Sequence, residues 1–249
     1  MRVAVLNDIH GNLPALEAVL EEVAGSHIDR IVIGGDVFPG PTPHLVLRRL
    51  RDAGVPVDFI YGNGEVAILQ HLAGKVPHLV PESYRPSVRW NAEQLDAAER
   101  DQVAGWPLTL RLPLPPLGDV LFCHATPRNE NEIFTPLTAE DRLIPIFAPA
   151  NAALVVCGHT HIQFDRTVGA TRLINPGSVG MPFGPAGADW LILGTAVELR
   201  HTQYDLEAAA ERIRFSGYPA AEEFATTYVL HPPSAADMLA LYAQHELKP

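Results

Sequence analysis

The sequence predicts an α/β protein built on a layered sheet, and three observations carry that expectation. Short buried-type apolar runs alternate with helically spaced stretches from Val3 to Tyr61. Each run stops at a small or polar residue, as in "VAVLND", "RIVIGGD" and "DFIYGNGE". Further short strand signals then recur after residue 108, so the chain has material for more than one sheet.

In order, Val3 to Leu6 reads as a buried strand, and Leu13, Leu16, Val19, Leu20 and Val23 share one helical face with Pro14 in the first turn. Arg30 to Ile33 is the next strand, Pro43 to Ala53 a second helix, and Asp58 to Tyr61 a third strand. Residues from about 66 to 107 change character, with Trp90, Trp106 and helical patterning, and are expected to form a helical insertion. Strand signals resume at Thr109 to Leu112, Val120 to Cys123, Leu154 to Cys157, Phe164 to Val168, Arg172 to Ile174, Leu191 to Leu193 and Val197 to Thr202. A helical segment is expected over about 205 to 249, and the proline-rich stretches at 112–118 and 181–187 are expected to be loops. The expectation is a single domain over residues 1–249.

Composition narrows the functional classes. The chain of 249 residues is 47% apolar and 19% charged, as in ordinary globular proteins. No apolar run approaches the roughly 18 residues of a membrane span, and no signal-peptide pattern opens the chain. Two cysteines, Cys123 and Cys157, make no disulfide framework and are expected to fill strand ends; a cytoplasmic location follows as the expectation. A formal net charge of −11 argues against capture of long nucleic acid. A small phosphorylated ligand, a nucleotide among the candidates, stays compatible because bound cations reverse the local field. No membrane partner is expected, and homo-oligomerisation stays open.

Almost every strand ends in a residue able to bind metal. "LNDIHGN" supplies Asp8 and His10, "IGGDV" Asp36, "YGNGE" Asn63, "LFCHATP" His124, and "VVCGHTHIQ" His159 and His161. In open α/β sheets the carboxyl ends of strands form the ligand crevice. A lone Asp there could cap a helix and a lone Asn could turn a chain, but neither requires the histidines that accompany them.

The order D-x-H, G-D, G-N, H and G-H-x-H resembles the calcineurin-like metallophosphoesterases, from Asp8 to His161, and "NPGSVG" at 175–180 resembles the loop that follows in small bacterial members. The resemblance implies a four-layered α/β/β/α sandwich and two divalent transition-metal ions (Mn, Fe, Ni, Co or Zn). Asp8, His10 and His161 would hold one, Asn63, His124 and His159 the other, and Asp36 would bridge them. Such a mixture of carboxylate, amide and imidazole disfavours Mg or Ca. The implied reaction is phosphoester hydrolysis by attack of metal-bound hydroxide. A phosphodiesterase is favoured; a phosphomonoesterase or protein phosphatase, and a non-catalytic scaffold like the retromer subunit of this fold, are the alternatives.

One position departs from the family pattern. After Asn63 the family commonly has a histidine that assists the leaving oxygen, and here stands Gly64. Good leaving groups are therefore expected to be favoured, a Gly64→His substitution is expected to help alkyl esters, and His44 is a candidate substitute acid. Asp36, Asn63 and Arg128 are the catalytic candidates. Arg128, just after His124, could grip a phosphate or form a surface ion pair. Asn12 could point into the site or begin the helix, the site being favoured; Glu65 is expected to cap a helix or face solvent, with contact behind the metal ligands as the lesser alternative.

Overall fold

The computed structural model describes residues 1–247. Two five-stranded mixed sheets pack face to face, with helices on both outer faces. The first sheet contains β1 (Val3–Leu6), β2 (Arg30–Ile33), β3 (Val57–Phe59), β9 (Ala188–Leu193) and β10 (Val197–Thr202), in the order β10-β9-β1-β2-β3. β1, β2 and β3 run parallel, whereas β9 is antiparallel to β1. The second contains β4 (Thr109–Pro113), β5 (Asp119–Cys123), β6 (Leu154–Val156), β7 (Phe164–Val168) and β8 (Thr171–Asn175), in the order β4-β5-β6-β8-β7.

The period of two along each strand builds the layers. Val3, Val5, Val32, Leu191 and Leu193 face Val120, Phe122, Leu154, Val156 and Ile174 across the sandwich. The alternate residues Ala4, Leu6, Ile31 and Ile33 face outward into a second core with α1 (Leu13–Gly25) and α2 (Pro43–Arg51). On the other side Leu121, Val155 and Leu173 pack with Leu143, Ile146 and Phe147 of α6 (Glu140–Phe147). Cys123 and Cys157 are buried in that same layer as free thiols.

The insertion begins earlier than its composition suggests. β3 ends at Phe59, and α3 spans Asn63–Leu72, so Ile60 and Tyr61 leave the strand and Asn63 opens the helix. α4 (Arg85–Gln94) and α5 (Ala97–Ala104) complete it. α6 gave no readable signal because Pro145 stands inside it. After β10 come α7 (Leu206–Arg214), α8 (Ala221–Glu223) running into a π-helical stretch over Phe224–Leu230, and α9 (Ala235–Tyr242). No helix among the described residues is long and apolar enough to cross a membrane.

Candidate metal centre

The loops after β1, β2, β5 and β6 meet at one rim of the sandwich, joined by the N-terminus of α3. Backbone bonds stitch them together: Asp8 N–H donates to Gly35 O at 3.0 Å, His10 N–H to Asp36 O at 3.0 Å, and Gly158 N–H to His124 O at 2.6 Å. The 175–180 loop braces the assembly from the far side. Ser178 Oγ donates to Asp8 O at 2.7 Å, and Asn175 Nδ2 donates to Gly158 O at 2.8 Å.

The backbone there is unusual. Asp8, His10, Asp36, His159 and His161 have φ of 54°, 47°, 50°, 69° and 57°, which makes five of the eight non-glycine residues with positive φ among those described. The left-handed region costs an L-residue on the order of 1–2 kcal/mol. Such strain collects where surrounding structure holds a side chain in one required direction.

Two groups of ligand atoms result. Asp8, His10 and His161 form one and Asp8, Asp36 and His124 the other, each with its atoms within 4.8 Å of one another. Asp36 reaches both sides: Oδ2 lies 3.6 Å from His10 Nε2, and Oδ1 lies 3.5 Å from His124 Nε2. Asp8 Oδ1 also faces both, at 3.4 Å from His161 Nε2 and 3.8 Å from His124 Nε2. The bridging position, which the resemblance gives to Asp36 alone, is thus within reach of two carboxylates. Asn63 Oδ1 approaches His124 Nε2 at 3.1 Å. His159 adjoins by its ring, edge-on to His124 with centroids 5.2 Å apart, and by its N–H, which donates to Asp8 Oδ2 at 3.1 Å.

Proton bookkeeping tests whether these residues fit a cation. The Nδ1 atoms of His10, His124 and His161 lie 3.2, 2.9 and 2.8 Å from the carbonyl oxygens of Pro39, Gly34 and Met181. A carbonyl only accepts, so each Nδ1 carries the proton and each Nε2 presents a lone pair inward. The Nε2 atoms of His10 and His161 then face one another at 3.2 Å. Burial, with the neighbouring His161, pushes His10 down to about 3, so it does not protonate to relieve the contact. Burial and His124 do the same to His159, also to about 3, and its Nδ1 is buried without a hydrogen-bond partner, as is Asp8 Oδ1. Burial alone would raise Asp8, but His161, His124 and His10 pull it down to about 2. Burial and Asp8 hold Asp36 well above the usual carboxylate range. Inward lone pairs on imidazole, carboxylate and amide, with orphaned acceptors among them, make a set that fits divalent transition metals.

Glycines make room for this packing. A Cβ at Gly62 would lie 2.3 Å from Asp36 Oδ1, and one at Gly64 would lie 2.0 Å from Phe38 O. The second contact is with backbone, so residue 64 has no space for a histidine, and the expectation that Gly64→His would add an acid is overturned. The Gly64 N–H has its own task, donating to Asp36 Oδ1 at 2.7 Å.

For three other residues the structure selects among the alternatives. Arg128 pairs with Glu132, with Nη2 to Oε1 at 2.7 Å and Nε to Oε2 at 3.0 Å, which is the ion-pair alternative of the sequence reading. Asn12 caps α1, accepting from Ala15 N–H at 3.2 Å, and its Nδ2 donates to Gly180 O at 2.9 Å instead of pointing into the site. Glu65 caps α3 and also, as the lesser alternative had it, supports a ligand residue from behind: fully buried, its carboxylate accepts the N–H groups of Asp36, Phe38 and Gly62 at 2.9, 3.1 and 2.7 Å. Burial and Asp36 push Glu65 up to about 7. The sequence signal for it was its place three residues after the helix cap. His44 is exposed on α2.

Comparison with known proteins agrees with this arrangement. Residues 1–196 match the model of the calcineurin-like phosphoesterase superfamily domain. An uncharacterized protein of Methanocaldococcus jannaschii is 27% identical over 232 residues, covering 85% of this chain and 91% of that one. Among solved structures, a hypothetical protein of Pyrococcus horikoshii OT3 superposes with a TM-score of 0.77 at 20% identity, covering 94% of this chain and 99% of that one. A metallophosphoesterase from Sphaerobacter thermophilus superposes with a TM-score of 0.69 at 24% identity, covering 91% and 98%. Strand order, converging loops and the domain match lead to one conclusion: the chain belongs to the calcineurin-like phosphoesterase superfamily.

Proposed function

We propose that this protein is a dinuclear-metal phosphodiesterase acting on small substrates. One observation carries the reading: the two oxygens of Asp36 lie between His10 Nε2, at 3.6 Å, and His124 Nε2, at 3.5 Å. A carboxylate so placed can serve two cations. Asp8, His10 and His161 would hold one; Asn63, His124 and His159 would hold the other, with Asp36 shared. When bound, such ions supply positive charge that acidifies water and offsets the phosphoryl oxygens; Mn is the first to try.

The chain's own contribution is orientation. Carbonyl partners fix three imidazoles, Gly64 N–H and Glu65 fix Asp36, and the left-handed turns aim the ligands before any substrate arrives. Residue 64 offers no proton donor to the departing oxygen. A general acid commonly contributes 10²–10⁴-fold, most for poor leaving groups, so aryl diesters should be cleaved far faster than alkyl ones.

The test is to strip the protein with a chelator, restore Mn, count bound metal, and compare bis(p-nitrophenyl) phosphate with p-nitrophenyl phosphate. Two ions per chain and faster diester cleavage support the proposal. Faster monoester cleavage would make it a phosphomonoesterase. No bound metal and no hydrolysis would point to a scaffold.

A further inference from the structure

A cavity of about 310 Å³ opens beside the centre and shares His10, Asp36 and Asn63 with it. That is the size of a small-ligand pocket. Most of its remaining wall comes from two stretches, with Pro39, Glu130, Asn131 and Met181 added from the loops around the centre. Val66, Leu79, Tyr84 and Val88 belong to the helical insertion, and Phe224 and Tyr228 to the C-terminal segment. The C-terminal residues lie beyond residue 196, where the superfamily match ends. The hydroxyls of Tyr84 and Tyr228 meet at 3.4 Å and join the two stretches.

The chemistry of these walls is one-sided. Aliphatic side chains and aromatic rings dominate them, the carboxylates are Glu130 and Glu223, and no lysine or arginine is among the described lining residues. A polyphosphate chain is bound by Arg, Lys or clustered N–H groups. In this cavity it would meet apolar surface and two like charges. An aromatic ring, by contrast, would bury its faces against Val66, Val88 and Phe224 and leave no anion unpaired.

We propose that the cavity receives the organic group of the substrate, an apolar ring without negative charge, so that the protein selects phosphoesters of aromatic or apolar alcohols and rejects nucleoside polyphosphates. This rests on the hydrolase reading above and names its substrate class. Val66, Leu79, Tyr84, Phe224 and Tyr228 are then specificity-determining residues.

Non-hydrolysable ligands test this without turnover. Titration calorimetry on the Mn-loaded protein would compare methylphosphonate, 1-naphthylphosphonate and α,β-methylene-ADP. The naphthyl compound should bind at least about tenfold tighter than the methyl compound, and methylene-ADP no tighter than it. Val66→Trp should reduce the naphthyl-to-methyl affinity ratio about tenfold. Leu79 is 54% exposed, so Leu79→Arg should fold normally and raise affinity for methylene-ADP severalfold. Equal affinity for the two phosphonates, or tighter binding of methylene-ADP by the unaltered protein, would overturn the cavity assignment and leave the hydrolase reading standing. Failure of Mn and of every phosphonate to bind would instead overturn the hydrolase reading on which the assignment rests.

Discussion

Glu65 holds Asp36 from beneath: its buried carboxylate accepts the Asp36 backbone N–H at 2.9 Å while also accepting those of Phe38 and Gly62. Three donors converge on one carboxyl group that reaches no solvent. The side chain proposed to bridge the metals is therefore positioned by one that lies behind it.

Glu65→Gln tests this relation. The amide keeps one oxygen but turns an NH₂ group towards a backbone N–H, leaving buried donors unpaired. Unfolding in urea should show a loss of about 2–4 kcal/mol. Mn affinity should fall as well, and a variant of unchanged stability and metal binding would remove Glu65 from the support of the centre.

Gly64→Ala should be costly although alanine is the better helix former. Its Cβ would sit 2.0 Å from Phe38 O, in a place where only backbone can yield. A loss of about 1–3 kcal/mol is expected by chemical denaturation, with Gly64→His worse and no gain on alkyl diesters. Any gain in alkyl diester hydrolysis by Gly64→His would show that the loop over residues 38–39 moves aside.

Asp36→Asn removes the charge from the carboxylate that faces both His10 and His124. Metal content measured by mass spectrometry should fall below two ions per chain, and diesterase activity should fall on the order of 100-fold or more, at least as far as for loss of a supporting residue. Arg128→Ala, by contrast, should change kcat less than threefold, since that guanidinium is occupied by Glu132.

Asp189 gives a pH prediction away from the centre. Burial raises it to about 6 from the usual 3.8, against the bond from His201 Nδ1 at 2.7 Å. Folding thus favours its protonated form. The stability this provides is full below about pH 3.8 and lost as pH rises through about 6, a loss of about 3 kcal/mol at most. Asp189→Asn keeps an acceptor for His201 without the charge. Its Tm relative to the parent should rise between pH 4 and 6 and level off above 7; a pH-independent difference would contradict the argument.

Much of this was legible in sequence because it depends on local pattern. Strand-end ligands announce themselves as D-x-H and H-x-H beside apolar runs, and the alternating β and α signals locate the sheet. What depends on distant contacts was not legible. Nothing near Gly64 tells that Phe38 O, 26 residues earlier, fills the space beside it. Glu65 carried only a capping signal, and its burial beneath Asp36 arises from packing across 29 residues of chain. Likewise His201 had no motif, because its partner Asp189 is a neighbour across β9 and β10 alone.

The left-handed turns at Asp8, His10, Asp36, His159 and His161 also bear on how the empty protein behaves. Because folding already fixes those dihedrals, an arriving ion need not reshape the main chain, and its full affinity is available for holding on. Loading and unloading should leave amide exchange in these loops nearly unaltered, so the metal-free and metal-loaded forms would be hard to tell apart by anything that reads only the polypeptide.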